Sequence, residues 1–467
     1  MANQARAVDA VAPLLTPAPT YASVTKKVSD TVLKRHTPGW WSFSFAIAFL
    51  GIQVFVVAVA HLVTAGTESG GIDLPVGCCW GMVNFVWWIG IGQAGMLISA
   101  ILLLCRQDWR APISRFAEIM AFLAISCAAA LLILSAGRPW LTYWLTPYPN
   151  PMDLWPQFKS PLVWDVFAVF VSFTVSALFG YVGLLPDLAT LRDRAQSRLP
   201  QTLYGVLALG WRGSARHWHR YETAHLLLAG LVTPLAISVV TIVSFSFAPS
   251  IVPGWHTTIL PPYFVAGALF SGLAMLTTLI VPLRRIYQLD ALITERHLDN
   301  VAKLMLATGL LVVCGHATEA FVACYSANPH EGYLMANRMT GPQAPCYWTM
   351  WLCNGLVPQL LWSKRVRATP WVVFAVALFV SLGMWLERYI IVVTSLHRTD
   401  LPSSWAMCSG TACDVAFFVG TFGVFLAAVL LFIRVLPMIS MSNLRAFATR
   451  PARAPAPRRA GTGDYRD

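Results

Sequence analysis

An all-α integral membrane protein is the fold class this sequence predicts, and three observations predict it. Of 467 residues, 57 % are hydrophobic and only 12 % charged, more apolar surface than a soluble chain can hide in a core. The apolar residues fall in several runs that reach or exceed the roughly 20 residues needed to cross about 30 Å of hydrocarbon as helix. These runs are continuous rather than alternating, whereas a membrane barrel needs alternation.

Ten spans follow in order, at about 40–63, 78–104, 117–135, 162–188, 223–248, 261–283, 301–325, 346–363, 370–396 and 414–437. The first is too long and starts too late to be a cleavable signal peptide, so it stays as a span. Connections on the side of the termini carry Arg106, Arg110 and Arg115, then Arg192, Arg194, Arg198, Arg212, Arg216 and Arg220. Further along they carry Arg284, Arg285 and Arg296, then Lys364, Arg365 and Arg367, while the opposite connections hold only Arg138, Lys159, Arg338 and Arg398. The positive-inside rule therefore puts both termini in the cytoplasm. Most of the +12 net charge lies in these connections, so it reports topology and not nucleic-acid binding. Residues 1–39 (Ala, Pro and Thr-rich) and 438–467 (Arg, Pro and Ala-rich) read as disordered cytoplasmic ends.

The ten cysteines contain no CxxC run for an iron–sulfur cluster and no CxxCH for covalent haem, so this chain is expected to hold neither cofactor nor metal. Cys408 and Cys413 share the last outward connection and are a candidate disulfide pair in an oxidising periplasm. The glycines of GIGQAG lie in lipid with no strand before them, and read as close helix packing instead of a nucleotide loop.

Chemistry then rests on ionisable and aromatic side chains inside the bundle, where charge is expensive and usually functional. Arg138, Trp164 and Asp165, with Trp88 and Gln93 of the second span, share the outer half of one bundle. Elsewhere Glu118, His225, His316, Glu319, Tyr325, Glu387 and Arg388 are candidates for a proton pathway. His316 and Glu319, three apart, share one helix face, with Tyr325 further out. Asp187 and Asp193 sit among arginines and read as structural ion pairs.

The motifs FVWWIGIGQAG, AEIM, GRPW, YWLTPYPN, SPLVWDVFAV, GLLPDLATLRDRA, ALGWRGSARHWHRYE, PGWHTTILPPYFVAGALFSG and GMWLERYIIVVTSL stand in one order between about Trp40 and Pro437. In that order they closely resemble ActC, the NrfD/PsrC-like membrane component of bacterial alternative complex III. The resemblance implies one membrane domain over 40–437, with four-helix bundles at about 78–248 and 261–396 flanked by helices 40–63 and 414–437. It implies a multi-pass subunit of the bacterial inner membrane that oxidises quinol, menaquinol or ubiquinol, near the periplasmic face. It implies as partners an iron–sulfur subunit on that face, multihaem cytochrome c subunits and a second NrfD-like subunit.

Carried over residue by residue, Asp165 matches a pocket carboxylate and Arg138 the arginine of the GRP motif. The chain departs from the family pattern at four titratable positions: Gln93 and Ser135 stand where the family has histidine, Val240 replaces a histidine and Ser246 an aspartate. Gln93 and Ser135 still hydrogen-bond a quinol oxygen but accept no proton near neutral pH. Two readings stay open: a quinol site with Asp165 as sole acceptor, or a non-catalytic anchor that docks redox partners and has lost the histidines. A secondary transporter is disfavoured, because paired Gly/Pro-broken spans are not evident.

Overall fold

The structure is a computed structural model, and it describes residues 21–33, 38–65, 79–135, 139–146, 159–250, 252–255, 259–396 and 410–448. All regular structure among them is helical. In chain order the helices are α1 (Tyr21–Leu33), α2 (Gly39–Ala65), α3 (Cys79–Leu104), α4 (Ser114–Ser135), α5 (Pro161–Arg194), α6 (Arg198–Leu207), α7 (Ala215–Phe245) and α8 (Leu260–Ile286). They continue as α9 (Glu295–Tyr325), α10 (Pro329–Thr340), α11 (Ala344–Trp351), α12 (Lys364–Arg367), α13 (Pro370–Tyr389), α14 (Ala412–Val435) and α15 (Met441–Ala448).

Nine helices among the described residues are long and apolar enough to cross a membrane: α2, α3, α4, α5, α7, α8, α9, α13 with its extension to Thr394, and α14. The segment expected as the eighth span is not one long α-helix. It consists of α11, a π-helical stretch Leu352–Leu356 and a tight 3₁₀ stretch Val357–Trp362. Pro358 near the start of the last stretch lacks the N–H that a regular helix would use. This interrupted segment still runs the length of its bundle: before it, Arg338 bonds Glu319 and Thr394 at one end, and after it Arg367 bonds Asp299 at the other.

Helices α3, α4, α5 and α7 pack around one another, and α8, α9, the interrupted segment and α13 form a second group. The groups meet along α3 and α8, where a side chain on Gly90 would touch Ala268 and one on Gly272 would strike Ala94. Lipid tails are as apolar as leucine, so close backbone approach of small residues is what holds such helices together. Gly92 and Gly95 lie in the same way against Ile125, Ala117 and Ala121 of α4, in keeping with the packing reading of GIGQAG. At one flank α2 lies antiparallel against α14, with Gly51 on Gly423 and Gly420 on Phe55, while Phe43, Leu50 and Val57 stay exposed on the face turned away from the protein.

The chain ends differ from the sequence expectation. Within the stretches expected to be disordered, α1 and α15 are helices that pack on each other and on α5 at the basic end. Val28, Val32, Met438, Ile439, Met441 and Leu444 bury an apolar stripe that the surrounding Ala, Pro and Arg residues obscured. Arg194 on α5 donates to Ser29, and Tyr204 on α6 donates to the Val435 carbonyl at 2.8 Å. Burial raises the Tyr204 phenol above its ordinary pKa, so it remains a donor.

Candidate functional site

The first helix group carries polar residues at both ends, and the second gathers its own at the end away from the basic connections. In the first group Asp165, one turn into α5, is fully buried. The Ser246 hydroxyl, just beyond the end of α7, donates to its Oδ2 at 2.7 Å, and Oδ1 has no partner among the described residues. A buried carboxylate oxygen left without a donor is costly, and such atoms call for an explanation. Two turns deeper on the same face of α5, Ser172 accepts from Nε2 of Gln93 at 3.0 Å, and the Gln93 Oε1 is also unpartnered. Val240, at a position where the resemblance expects histidine, is buried and apolar.

Trp164 is half-buried beside Asp165. Trp88 turns elsewhere: its indole donates to Thr421 of α14 at 3.1 Å and its ring packs on Phe422 and Phe425, so it braces the flanking helix. Arg138 and the Ser135 side chain lie outside the described residues. Cys408 does too, and Cys413 points its thiol at the Ala58 carbonyl.

At the basic end of the same group a different cluster forms. Arg115, 2 % exposed, donates from Nη2 to the Gly183 carbonyl at 2.6 Å and to Asp187 Oδ2 at 3.0 Å, and from Nη1 to Glu118 at 3.4 Å. Ser99 donates to the second oxygen of Glu118, and the backbone N–H of Ser442 donates to Asp187 Oδ1 at 3.0 Å. His225 and Tyr221 pack beside it, and neither the His225 Nε2 nor the Tyr221 hydroxyl finds a partner among the described residues. Glu118 and His225 thus occur together, among structural ion pairs. Asp187 is an ion-pair partner as its arginine-rich setting suggested, and Asp193 pairs with Arg192 on an exposed edge.

The second group gathers its titratable residues at the other end. Glu387, fully buried, lies 3.4 Å from Nε2 of His316 and 3.3 Å from Nη1 of Arg388, and accepts from Asn354 at 3.3 Å. The Tyr263 hydroxyl is 3.2 Å from the His316 ring, and the Arg388 guanidinium sits 4.0 Å over the ring of Phe264. Two π-helical stretches flank this network, Leu352–Leu356 containing Asn354 and Ile390–Thr394 beginning two residues after Arg388. Such bulges occur disproportionately at functional sites. Glu319 does not join His316: it accepts from Arg338 at 2.7 Å, which also bonds Thr394 and Ser395. Tyr325 is 79 % exposed and stacks on Phe321, away from the network.

Sequence reasoning missed Tyr263 and Asn354, and it used Arg115 and Arg338 only as topology markers. Arg115 was within reach, since it stands three residues before Glu118. Asn354 was not, because nothing in LCNG marks a π-helical turn.

A multi-pass helical membrane protein is the class that fold and clusters define. Comparison with known proteins makes it specific: residues 74–399 match the family described as Polysulphide reductase, NrfD, which is most of the chain, and the protein belongs to that family. A Halobacterium salinarum protein, named as a candidate dimethyl sulfoxide reductase membrane subunit, is 23 % identical over 439 residues, covering 88 % of this chain and 94 % of that one.

Proposed function

We propose that the chain is the quinol-binding membrane subunit of an alternative complex III-like electron-transfer assembly in a bacterial inner membrane. In this reading Ala344–Trp362 is a tenth crossing, the termini and basic connections are cytoplasmic, and Asp165 lies toward the periplasm. An iron–sulfur subunit docks on that face, with multihaem cytochrome c subunits and a second NrfD-like subunit alongside. Membership of the NrfD family and the asymmetry of the basic connections support it.

One observation carries the reading: the buried Asp165 carboxylate holds one oxygen on Ser246 and keeps the other without a donor among the described residues. Asp165 Oδ1 and Gln93 Oε1, without a partner among the described residues, are both acceptors, and a menaquinol or ubiquinol head brings hydroxyl donors. When bound, quinol supplies two electrons and two protons. Asp165 would receive a proton at Oδ1 while Ser246 fixes its orientation, and Gln93 would position the head without taking a proton. In the second group, Tyr263, His316 and Glu387 offer adjoining proton-exchanging atoms, which supports coupled proton movement.

Asp165→Asn tests the reading in the assembled complex. It is expected to reduce quinol-dependent electron transfer at least 100-fold with the complex intact. The competing reading, a docking anchor without catalysis, draws on Gln93, Ser135, Val240 and Ser246 at the family's titratable positions. Unchanged electron transfer in Asp165→Asn, together with purified complex that contains no bound quinone, would establish the anchor instead.

A further inference from the structure

Helices α4, α5 and α14 leave between them a cavity of about 430 Å³ at the basic end, which the Asp165 site does not use. Its size falls within the range of small-molecule sites, roughly 300 to 1,000 Å³. Phe122 and Leu123 of α4, Leu184 of α5 and Phe432 and Val435 of α14 form apolar walls. Leu431, 46 % exposed, stands at the rim, so the cavity opens sideways where these helices meet hydrocarbon. Gly180 lies on its α5 wall, 15 residues after Asp165, which is about 22 Å along the helix.

The charged groups of the cavity are buried, beside the uncharged Ser176 and Tyr181. Arg115 and Glu118 both line it, 2 % and 6 % exposed. The two Nη atoms of Arg115 are committed to Glu118, Asp187 and two backbone carbonyls, but its buried Nε has no acceptor among the described residues. Glu118 accepts from Ser99 at one oxygen and from Arg115 at the other, and each oxygen retains a lone pair. A head that both accepts from a guanidinium and donates to a carboxylate matches this pair. An anionic phosphate head does not. Glu118 and Asp187 already balance Arg115 and the nearby Arg110, and a further buried negative charge beside two carboxylates would be unpaired.

We infer that this cavity is a second lipid-accessible site, on the basic half of the first bundle, for a neutral amphiphile with hydroxyl or carbonyl oxygens on an apolar tail, the chemistry of a quinol or quinone. The inference stands on this cavity alone and does not depend on chemistry at Asp165. A Cβ on Gly180 would meet nothing within 4 Å, so Gly180→Phe starts its ring from open space on the cavity wall. Leu431→Trp fills it from the α14 wall.

The test is equilibrium binding of radiolabelled decylubiquinol to the full-length protein in phosphatidylcholine nanodiscs. The wild type is expected to show a component that Gly180→Phe and Leu431→Trp each weaken at least 10-fold and that Asp165→Asn leaves unchanged. Added phosphatidylglycerol is expected not to displace it. Binding that neither filling variant alters, or displacement by phosphatidylglycerol at a lower concentration than by unlabelled decylubiquinol, overturns the assignment. Loss of electron transfer in Asp165→Asn neither supports nor opposes it, so the two sites fail separately.

Discussion

Both helix bundles bury ionisable groups, and they arrange them differently. In the first, an arginine is surrounded by two carboxylates and two backbone carbonyls at the basic end, and the same network reaches the chain's C-terminal segment through Ser442. In the second, a carboxylate is surrounded by an imidazole, a phenol, an amide and a guanidinium at the opposite end, with π-helical turns on either side. Arginine stays protonated throughout the physiological range, so the first network is suited to clamping. Imidazole, phenol and carboxyl exchange protons, so the second is suited to relay. Sequence position alone does not tell the two apart, since each looks like scattered charge in apolar helices.

The largest effect should come from Arg115→Leu. It leaves Glu118 and Asp187 buried without a counter-charge and strands the Gly180 and Gly183 carbonyls, so it should cost about 3–5 kcal/mol. Thermal unfolding of the detergent-solubilised protein measures this. A loss under about 1 kcal/mol would mean that the cluster is not a clamp, and the contrast between the bundles would collapse. Ser442→Pro removes the backbone N–H that reaches Asp187, a hydrogen bond to a charged group worth about 1.5–3 kcal/mol, together with the hydroxyl that meets Ser440. Increased protease cleavage near α15, with the membrane core still resistant, is the expected signature.

Much of this architecture is legible in the sequence because membrane helices declare themselves by length and apolarity. The nine long helices fall where continuous apolar runs require them. The interrupted Ala344–Trp362 segment was legible as a run but not as a break, since a π turn leaves hydropathy unchanged. The clusters were legible only as members. His316 and Glu319 share a helix face by spacing, yet partners on other helices, Glu387 and Arg338, divide them. Likewise the end segments looked disordered because composition averages over Val28, Val32, Met441 and Leu444, whose burial depends on α1 and α15 meeting each other.

In the second bundle, Tyr263→Phe removes the hydroxyl beside His316 and keeps the ring that packs against Phe264 and beneath Arg388. Stability should fall by about 1 kcal/mol, the usual net worth of one hydrogen bond. If this network relays protons, the proton-to-electron ratio of reconstituted complex should drop while quinol-dependent electron transfer persists. An unchanged ratio would reduce the network to a structural one and bring the two bundles back to a single role.

The smallest effect serves as the baseline for the others. Asp193, 65 % exposed in its side chain, pairs with the partly exposed Arg192 at 2.8 Å on the basic face. Water screens both charges, and neither is stranded when the other is lost, so Asp193→Ala should change stability by no more than about 0.5 kcal/mol. Arg192 also donates to the Trp211 carbonyl, which keeps it in place without Asp193. The carboxylates Asp187 and Asp193 stand on one helix, each bonded to an arginine, and differ in burial. Asp187→Ala should therefore cost several times more than Asp193→Ala in the same unfolding assay. Equal losses would show that proximity to the arginine-rich face, and not burial against Arg115, determines what these carboxylates contribute.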